Sequence, residues 1–409
     1  MKMKTNLLAA SIAAVGLASA INVQADAFTD AMKGSTTEVS FRLRSETVNQ
    51  DLASGATKDD SATANTLKTR LSYASGSLAG FSVVAEIDNV SALSETDYKD
   101  NSSTSSRNDV NAQVIADHEY TDVNQAYAQY QGFDTTVKVG NQRILLDNQR
   151  HVGGVGFRQD EATFDAISVT NKSLPNTTIF AAAINNRHTI TGGETLEDIE
   201  LVNVNYKMSE ALSATAYAYQ ISNLTPPNTA IDVDFETFGA RFTGAAGPAL
   251  YEAEFATQTK ETPTAEFDTT YYNISLGAKF AGVTAKVGQE VMSSDDGGAA
   301  FSTPLGTNHA FNGWTDTFLG GIGNAGTVDT YANVATMVAG VKLVGQYHNY
   351  ATDEGSEKAG NEFGFLVAKK FNNYGVSLKA SQYQATDFAK ANLSKVDTTK
   401  VWLTGEAKF

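Results

Sequence analysis

A transmembrane antiparallel β-barrel of about eighteen strands, winding up and down, is the fold this sequence predicts. Apolar and polar residues alternate with period two in segment after segment, the connections alternate between short and long, and the chain ends on an alternating strand closed by Phe409. Each element follows the same rule.

At the start, Lys2 and Lys4 precede a small, apolar run from Leu7 to Ala20, and Val23-Gln24-Ala25 follows before Asp26. A basic start, a short apolar stretch and small terminal residues make residues 1–25 a secretory signal cut after Ala25. Residues 26–409 are then a single barrel domain, with no Pro-rich or Ser-rich linker to divide it.

Strands follow near 38–48, 66–76, 80–90, 122–132, 134–143, 161–171, 176–186, 199–208 and 211–221. The series continues near 233–243, 248–259, 269–280, 282–292, 327–338, 340–350, 361–371, 374–385 and 398–409. In the first, Val39, Phe41 and Leu43 alternate with Ser40, Arg42 and Arg44; in the second, Leu67, Thr69, Leu71 and Tyr73 alternate with Lys68, Arg70 and Ser72. Most segments have the roughly 10 residues that a tilted strand needs to cross the hydrocarbon layer, and the total falls in a range of about 16–18.

Gly76 to Gly80, Gly132-Phe133-Asp134, Ser173-Leu174-Pro175, Met208-Ser209-Glu210, Ala281-Gly282 and Asn372-Asn373 are tight connections. The stretches 91–121, 144–160, 187–198, 222–232 and 293–326 are long. Short periplasmic turns and long outer loops are the pattern of a membrane barrel. An even strand count puts Phe409 at the periplasmic rim, pairs the last strand with 38–48, and sets Lys400 and Lys408 in the lumen beside Arg42 and Arg44. A terminal aromatic of this kind resembles the ending that the insertion machinery reads in bacterial outer-membrane barrels.

Composition agrees. The 33 Gly, 16 Tyr and 21 Phe against 6 Pro suit short strands and tight turns. With no cysteine, disulfide and thiol chemistry are excluded. Beyond the signal no run of about 18 apolar residues exists, so no helical span is expected. A mean hydropathy of -0.24 fits a chain in which alternate residues face lipid, and a net charge of -16 argues against nucleic-acid binding.

Charge is distributed unevenly. Strand faces expected to point inward collect Arg42, Arg44, Lys68, Arg70, Lys138, Lys207, Arg241, Lys279, Lys286, Lys342 and Lys379. Loops carry acids such as Asp51, Asp59, Asp60, Asp97, Asp100, Asp109, Asp117, Glu194, Glu197, Asp198, Asp295 and Asp296, which predicts a negative exterior over a partly basic channel. Two readings of the wall cations stand. They lower the cost of moving an anion, or they neutralise Glu46, Glu86, Asp88, Asp165, Glu236, Glu252, Glu254 and Glu290 on the same wall.

The segment from Gly140-Asn141-Gln142-Arg143 through Arg150, Gly153 and Phe157-Arg158-Gln159 to Thr163-Phe164-Asp165-Ala166 is the most distinctive in the chain. It resembles the alginate-export family of outer-membrane barrels, in which a strand ends in Gly-x-Gln, a loop carries Arg-x-x-Gly, and Arg-Gln-x-x-x-Thr-Phe-Asp-Ala follows. The resemblance implies eighteen strands and kinship with substrate-specific porins for carboxylates and other small solutes. By its own chemistry, Gly153, Gly154 and Gly156 permit a sharp turn, while Arg143, Arg150 and Arg158 can present paired donors to a carboxylate. If loop 144–160 folds into the lumen, these arginines line its constriction with Asp147, Asp160 and Asp165 orienting them; alternatively, Arg158 and Asp165 pair to anchor the loop.

The pore-lining or constriction candidates are therefore Arg42, Arg44, Lys68, Arg70, Lys138, Arg143, Arg150, Arg158, Asp165 and Arg241. No Gly-x-Ser-x-Gly elbow or His-Glu-x-x-His site is present, and His118, His151, His188, His309 and His348 lie far apart, so a barrel lipase or protease is a competing class without a motif. Ser293-Ser294-Asp295-Asp296-Gly297-Gly298 lacks the spaced ligands of a calcium loop and reads as solvated. An energy-coupled importer needs a plug domain before its barrel, and the first strand begins too soon after Ala25 to leave room for one. The expectation is a passive channel for small polar, anionic solutes in the outer membrane of a Gram-negative bacterium, without cofactor, metal or catalytic residues. An exporter of an anionic polysaccharide such as alginate is the alternative. Expected partners are outer-membrane lipid and lipopolysaccharide, the insertion machinery through Phe409, and small solutes. A homo-trimer and a monomer both remain open.

Overall fold

The computed structural model describes residues 29, 31–52, 56, 58–94, 98–102, 111–195, 197–225 and 232–409. The signal segment 1–25 and the loop acids Asp97 and Asp109 lie outside the described residues.

Eighteen long strands form one sheet: Thr36–Gln50 (β1), Ser61–Ala74 (β2), Phe81–Ala92 (β3), Tyr120–Gly132 (β4), Thr135–Gln142 (β5), Thr163–Asn171 (β6), Thr177–His188 (β7), Asp198–Lys207 (β8) and Leu212–Leu224 (β9). They continue as Val233–Ala246 (β10), Ala249–Thr262 (β11), Ala265–Phe280 (β12), Val283–Met292 (β13), Thr327–Val338 (β14), Val341–Ala351 (β15), Lys358–Phe371 (β16), Tyr374–Ala385 (β17) and Thr398–Lys408 (β18). Each pairs antiparallel with the next, and β18 closes on β1 with Ser40 opposite Lys408 and Gln50 opposite Thr398. The ladder runs to the last residue: the Val39 N–H donates to the Phe409 carbonyl at 3.0 Å, and the Phe409 N–H to Val39 at 2.9 Å. With no free edge, nearly every strand amide has a partner, which is what a hydrocarbon phase demands.

Alternation sets the two faces. Phe238, Ile274, Leu276, Val287, Phe363 and Leu403 point outward and are each more than half exposed. Arg44, Lys68, Asp88, Glu254, Glu290 and Trp402 lie on the opposite face and are buried. Exposed apolar residues outside a buried polar interior invert the order of a soluble protein, and contact with lipid resolves the inversion at about 25 cal/mol per Å² removed from water.

The rim holding the C-terminus carries the tight turns. Phe133 and Asp134 have φ of 51° and 53°, Ala281 and Gly282 of 48° and 81°, and Ala339 and Gly340 of 48° and 74°. Two successive left-handed residues match the right-handed twist of the flanking strands. At the other rim the strict short and long alternation fails once: β11 and β12 are joined by Pro263 and Thr264 alone, because these strands run on to 14 and 16 residues. Several strands begin earlier than alternation indicates, β2 at Ser61 and β12 at Ala265, since backbone pairing continues above the apolar band where side chains no longer need to alternate.

Candidate functional site

Described residues of three loops of the long-loop rim pack inside the barrel. Loop 143–162, between β5 and β6, touches inward-facing residues around much of the wall. Arg150 is fully enclosed, its Nε and Nη2 donating to the two Glu290 oxygens of β13 at 2.8 and 3.0 Å. His151 lies 3.1 Å from Glu254 of β11 and 3.0 Å from the Tyr217 hydroxyl of β9. Toward β1, Arg158 Nη1 donates to Glu46 at 2.8 Å, while Arg42 Nη1 donates to the carbonyls of Gly156 and Arg158 at 3.1 and 3.2 Å. Charge-assisted hydrogen bonds of this kind are worth about twice a neutral one, so the loop is held at several points.

Loop 293–326, between β13 and β14, packs against it. Val152 and Leu305 form a parallel bridge, with the Gly153 N–H on the Leu305 carbonyl at 2.8 Å and the Thr307 N–H on the Gln149 carbonyl at 2.9 Å. A Cβ at Gly153 would meet the Thr307 hydroxyl at 2.3 Å, so this glycine serves close approach of the loops. The left-handed residues of loop 143–162 are not Gly153, Gly154 or Gly156 but Asp147, Gln149 and Val155, with φ of 51°, 66° and 51°. Farther along, the Thr315 N–H donates to Glu362 of β16 at 3.1 Å, and Phe318 and Ile322 are buried with Tyr350 and Tyr383. Only Ser293–Gly298 was expected to be solvated, and those residues are partly or fully exposed. Much of the rest of the loop is not, since Phe301, Leu305, Trp314, Phe318 and Ile322 are buried.

Loop 93–119 contributes Asp117, which sits 3.6 Å from Arg44 and 3.9 Å from Arg158. Asp100, Asp117 and Glu197 are buried, so the acidic exterior is smaller than the loop sequence indicates. Asp51, Asp59, Asp60, Asp198 and Asp296 are exposed.

The remaining candidates fall into two groups. On β2, Lys68 lies 2.8 Å from Asp88. Arg70 grips the same carboxylate with Nε and Nη2 at 2.7 and 2.6 Å, and also reaches Glu161. Arg143 donates from Nε to Glu161 at 2.7 Å and from Nη2 to Glu86 at 2.9 Å. On the far wall Arg241 binds Glu252 at 2.9 and 3.0 Å. Lys138 stands apart, its ammonium 4.7 Å over the Tyr127 ring.

Three sequence expectations are corrected. Arg158 does not pair with Asp165: it binds Glu46 and Asp316, whereas Asp165 accepts from Asn186 at 3.1 Å and lies 3.4 Å from His188. Nor do Asp147, Asp160 and Asp165 orient the loop arginines. Asp147 accepts from Asn203 at 2.7 Å, and Asp160 faces His118 at 3.7 Å, while Glu46, Glu86, Glu161, Glu290 and Asp316 hold the arginines. The loop reaches past its neighbours in sequence to carboxylates on distant strands. Glu236, expected on the inner wall, is exposed on the outer face because it shares the parity of Phe238.

Phe157 sits at the junction of the two loops with the wall. Its ring stacks on His309 at 4.0 Å, with Lys379 Nζ at 3.9 Å and the Arg44 guanidinium at 4.4 Å from its centroid. His309 Nδ1 lies 2.6 Å from Asp316, and its Nε2 lies 2.9 Å from Lys379 Nζ. An ammonium only donates, so Nε2 accepts, Nδ1–H donates to Asp316, and the ring is neutral. Burial lowers the His309 pKa to about 4, and Lys400, His309 and Arg158 hold Asp316 well below the usual carboxylate range against its own burial. A released loop would protonate His309 near pH 6.5 and Asp316 near 3.8, so docking weakens as pH falls from about 6.5 through 4 and falls further below. Limited proteolysis should therefore cut within 301–322 at pH 4 and spare it at pH 7; equal protection at both would contradict this latch.

Two cavities flank the loops. One, of about 810 Å³ on the side of the C-terminal rim, is lined by Arg42, Lys68, Arg70, Arg143, Lys342, Lys369, Lys370 and Lys408 against Glu38, Glu86 and Glu406. The other, of about 320 Å³ toward the long-loop rim, is lined by Glu119, Asp122, Asp160, Glu161 and Glu194 with His118 and His188 and no Lys or Arg. Burial pushes the Asp160 carboxyl up to about 7, which tempers the negative charge there. Lys400 also proves to be a lumen residue, 2.9 Å from Asp316, and Lys408 pairs with Glu38 at 2.6 Å.

The model of the family described as alginate export matches residues 39–364. No curated protein shows significant similarity to the chain. Among solved structures, OccK9 (OpdG) of Pseudomonas aeruginosa superposes with a TM-score of 0.70 at 12% identity, covering 93% of this chain and 99% of that one. OccK3 (OpdO) of the same organism gives 0.69 at 13%, covering 95% and 99%. OpdK of Pseudomonas aeruginosa, in a structure with vanillate, gives 0.66 at 13%, covering 91% and 98%. At these identities the likeness establishes the barrel and its strand number.

Proposed function

From the premise that this chain belongs to the alginate-export family of outer-membrane barrels, we propose that it is a porin for passive diffusion of small polar solutes, with a preference for anions. The observation that carries this reading is the basic cavity, where seven Lys and Arg side chains of the lumen face meet three Glu, while Lys369 at its edge shares the outward parity of Phe363 and Phe365. Charge of one sign in a low-dielectric vestibule concentrates ions of the other. The rim with the tight turns and Phe409 faces the periplasm and the long loops face outward. Vanillate, the molecule in the OpdK structure, is a carboxylate small enough for such a cavity.

Export of an anionic polysaccharide is the second reading, favoured by the same cavity opening toward the periplasm. Inward packing of loops 143–162 and 293–326 weighs against it, since a polymer needs a continuous wide bore. Liposome swelling separates the two. Vesicles containing the refolded barrel should swell rapidly in small sugars and faster still in small carboxylate salts, and stay unswollen in an oligomannuronate; swelling in the oligomer alone would reverse the choice.

The chain acts as a channel and not as a lipase or protease. Phe409, held in the last rung of the ladder, is available at the rim for the insertion machinery, and the lipid-facing wall meets outer-membrane lipid and lipopolysaccharide. A monomer suffices for the channel, because the lumen and both cavities are built from one chain.

A further inference from the structure

The two cavities are separated by one layer of side chains. Arg70 and Arg143 line the basic cavity and not the acidic one, while Glu161 lines the acidic cavity and not the basic one. Their contact is the partition. One Glu161 oxygen accepts from Arg70, Arg143 and Asn124, and the other from Arg143 Nε at 2.7 Å. Glu161 is buried, whereas the two arginine side chains remain 17% and 26% exposed.

Charge at this layer closes only with the loop. The wall and the start of the loop supply Lys68, Arg70 and Arg143, and β3 supplies Glu86 and Asp88, bound at 2.6 to 2.9 Å. Three cations face two wall carboxylates, and Glu161 of the inward loop is the third.

We propose that Arg70 and Arg143 form a binding site for the carboxylate of a permeating solute, which Glu161 fills until a solute displaces it. This rests on the porin reading. A monocarboxylate entering the basic cavity offers the same two oxygens to the same donors, and restores neutrality when Glu161 swings toward the acidic cavity. The exchange moves no net charge at the partition, so it avoids the desolvation cost of an unpaired guanidinium.

The test uses the full barrel in planar bilayers, with benzoate as the probe of potassium chloride current. In Glu161→Gln the arginines lose their resident anion, and the benzoate concentration for half-block should fall about tenfold, equivalent to about 1.4 kcal/mol of competition removed. Adding Arg143→Gln should abolish the block, and benzyl alcohol should not block either variant. An unchanged half-block in Glu161→Gln, or equal block by benzyl alcohol, overturns the proposal. Should Glu161→Gln not fold, Glu161→Asp keeps the charge on a shorter arm and should shift the half-block in the same direction; no shift again overturns it. Failure of the porin reading is distinct, since wild-type barrel would then carry no current before any probe is added.

Discussion

Replacing residues 301–322 by a short Gly-Ser linker raises single-channel conductance several-fold while leaving the barrel folded. Eighteen-stranded barrels are too wide to be filled by wall side chains, so the bore is set by what packs inside. Loop 293–326 closes the side of β13 to β18, through Glu362, Lys379, Lys400 and the pocket of Tyr350 and Tyr383. Its buried Phe301, Leu305, Trp314, Phe318 and Ile322 each contribute roughly 1.5–3 kcal/mol to docking. None of them belongs to the strand ladder. Glu362, Lys379, Lys400 and the phenols of Tyr350 and Tyr383 take water readily once uncovered, so heat-resistant migration of the folded barrel should persist. Unchanged conductance in the folded variant would place the loop outside the path.

The second large effect is expected at Arg150→Ala. Removing one member of a buried ion pair leaves the other charge uncompensated, at a cost of about 3–5 kcal/mol. Here the stranded group is Glu290, which also accepts from the Tyr271 hydroxyl at 2.8 Å. Relief comes by local opening, since lifting the loop from β13 lets water reach Glu290 without breaking a strand pair. The loss therefore falls on loop docking, read as fast proteolysis within 143–162 and noisy current, while barrel unfolding shifts little. Arg150→Ala with Glu290→Gln should recover much of the protection. A quiet, protease-resistant Arg150→Ala channel would contradict the anchoring role.

The barrel was legible because its signal is local. Residues such as Val39, Phe41 and Leu43 reveal their face through their immediate neighbours, and eighteen such segments match the eighteen strands. Tight turns were legible for the same reason, as Ala281-Gly282 is chemistry confined to two residues. What the loops do was not legible. Phe318 and Trp314 find partners on β15, β16 and β17, dozens of residues away, and nothing in a glycine-rich stretch announces that contact. A signal did exist: large apolar residues at 301, 305, 311, 314, 318, 319 and 322 are costly for a loop meant to sit in water.

The candidate site was half legible. Parity is a property of the strand, and it sets Arg42, Arg44, Lys68 and Arg70 on the face opposite the exposed Phe41, Leu43 and Leu71. Glu86 and Asp88, two of the wall acids expected to neutralise them, do bind Lys68 and Arg70, whereas the partners of the loop arginines Arg143, Arg150 and Arg158 were misassigned, because pairing across a lumen depends on loop paths. Glu161, the acid bound by both Arg70 and Arg143, drew no attention beside Asp160 and Asp165. Its place in a run of Gln-Asp-Glu carries no spacing rule, so only the folded loop singles it out.

A lumen that conducts and favours anions is what the closed barrel and its basic cavity imply together. Reversal potential of single folded channels across a potassium chloride gradient tests it most directly. A small, steady conductance with a reversal potential of the sign set by chloride is the predicted result; a folded barrel without current, or a potential set by potassium, would contradict it.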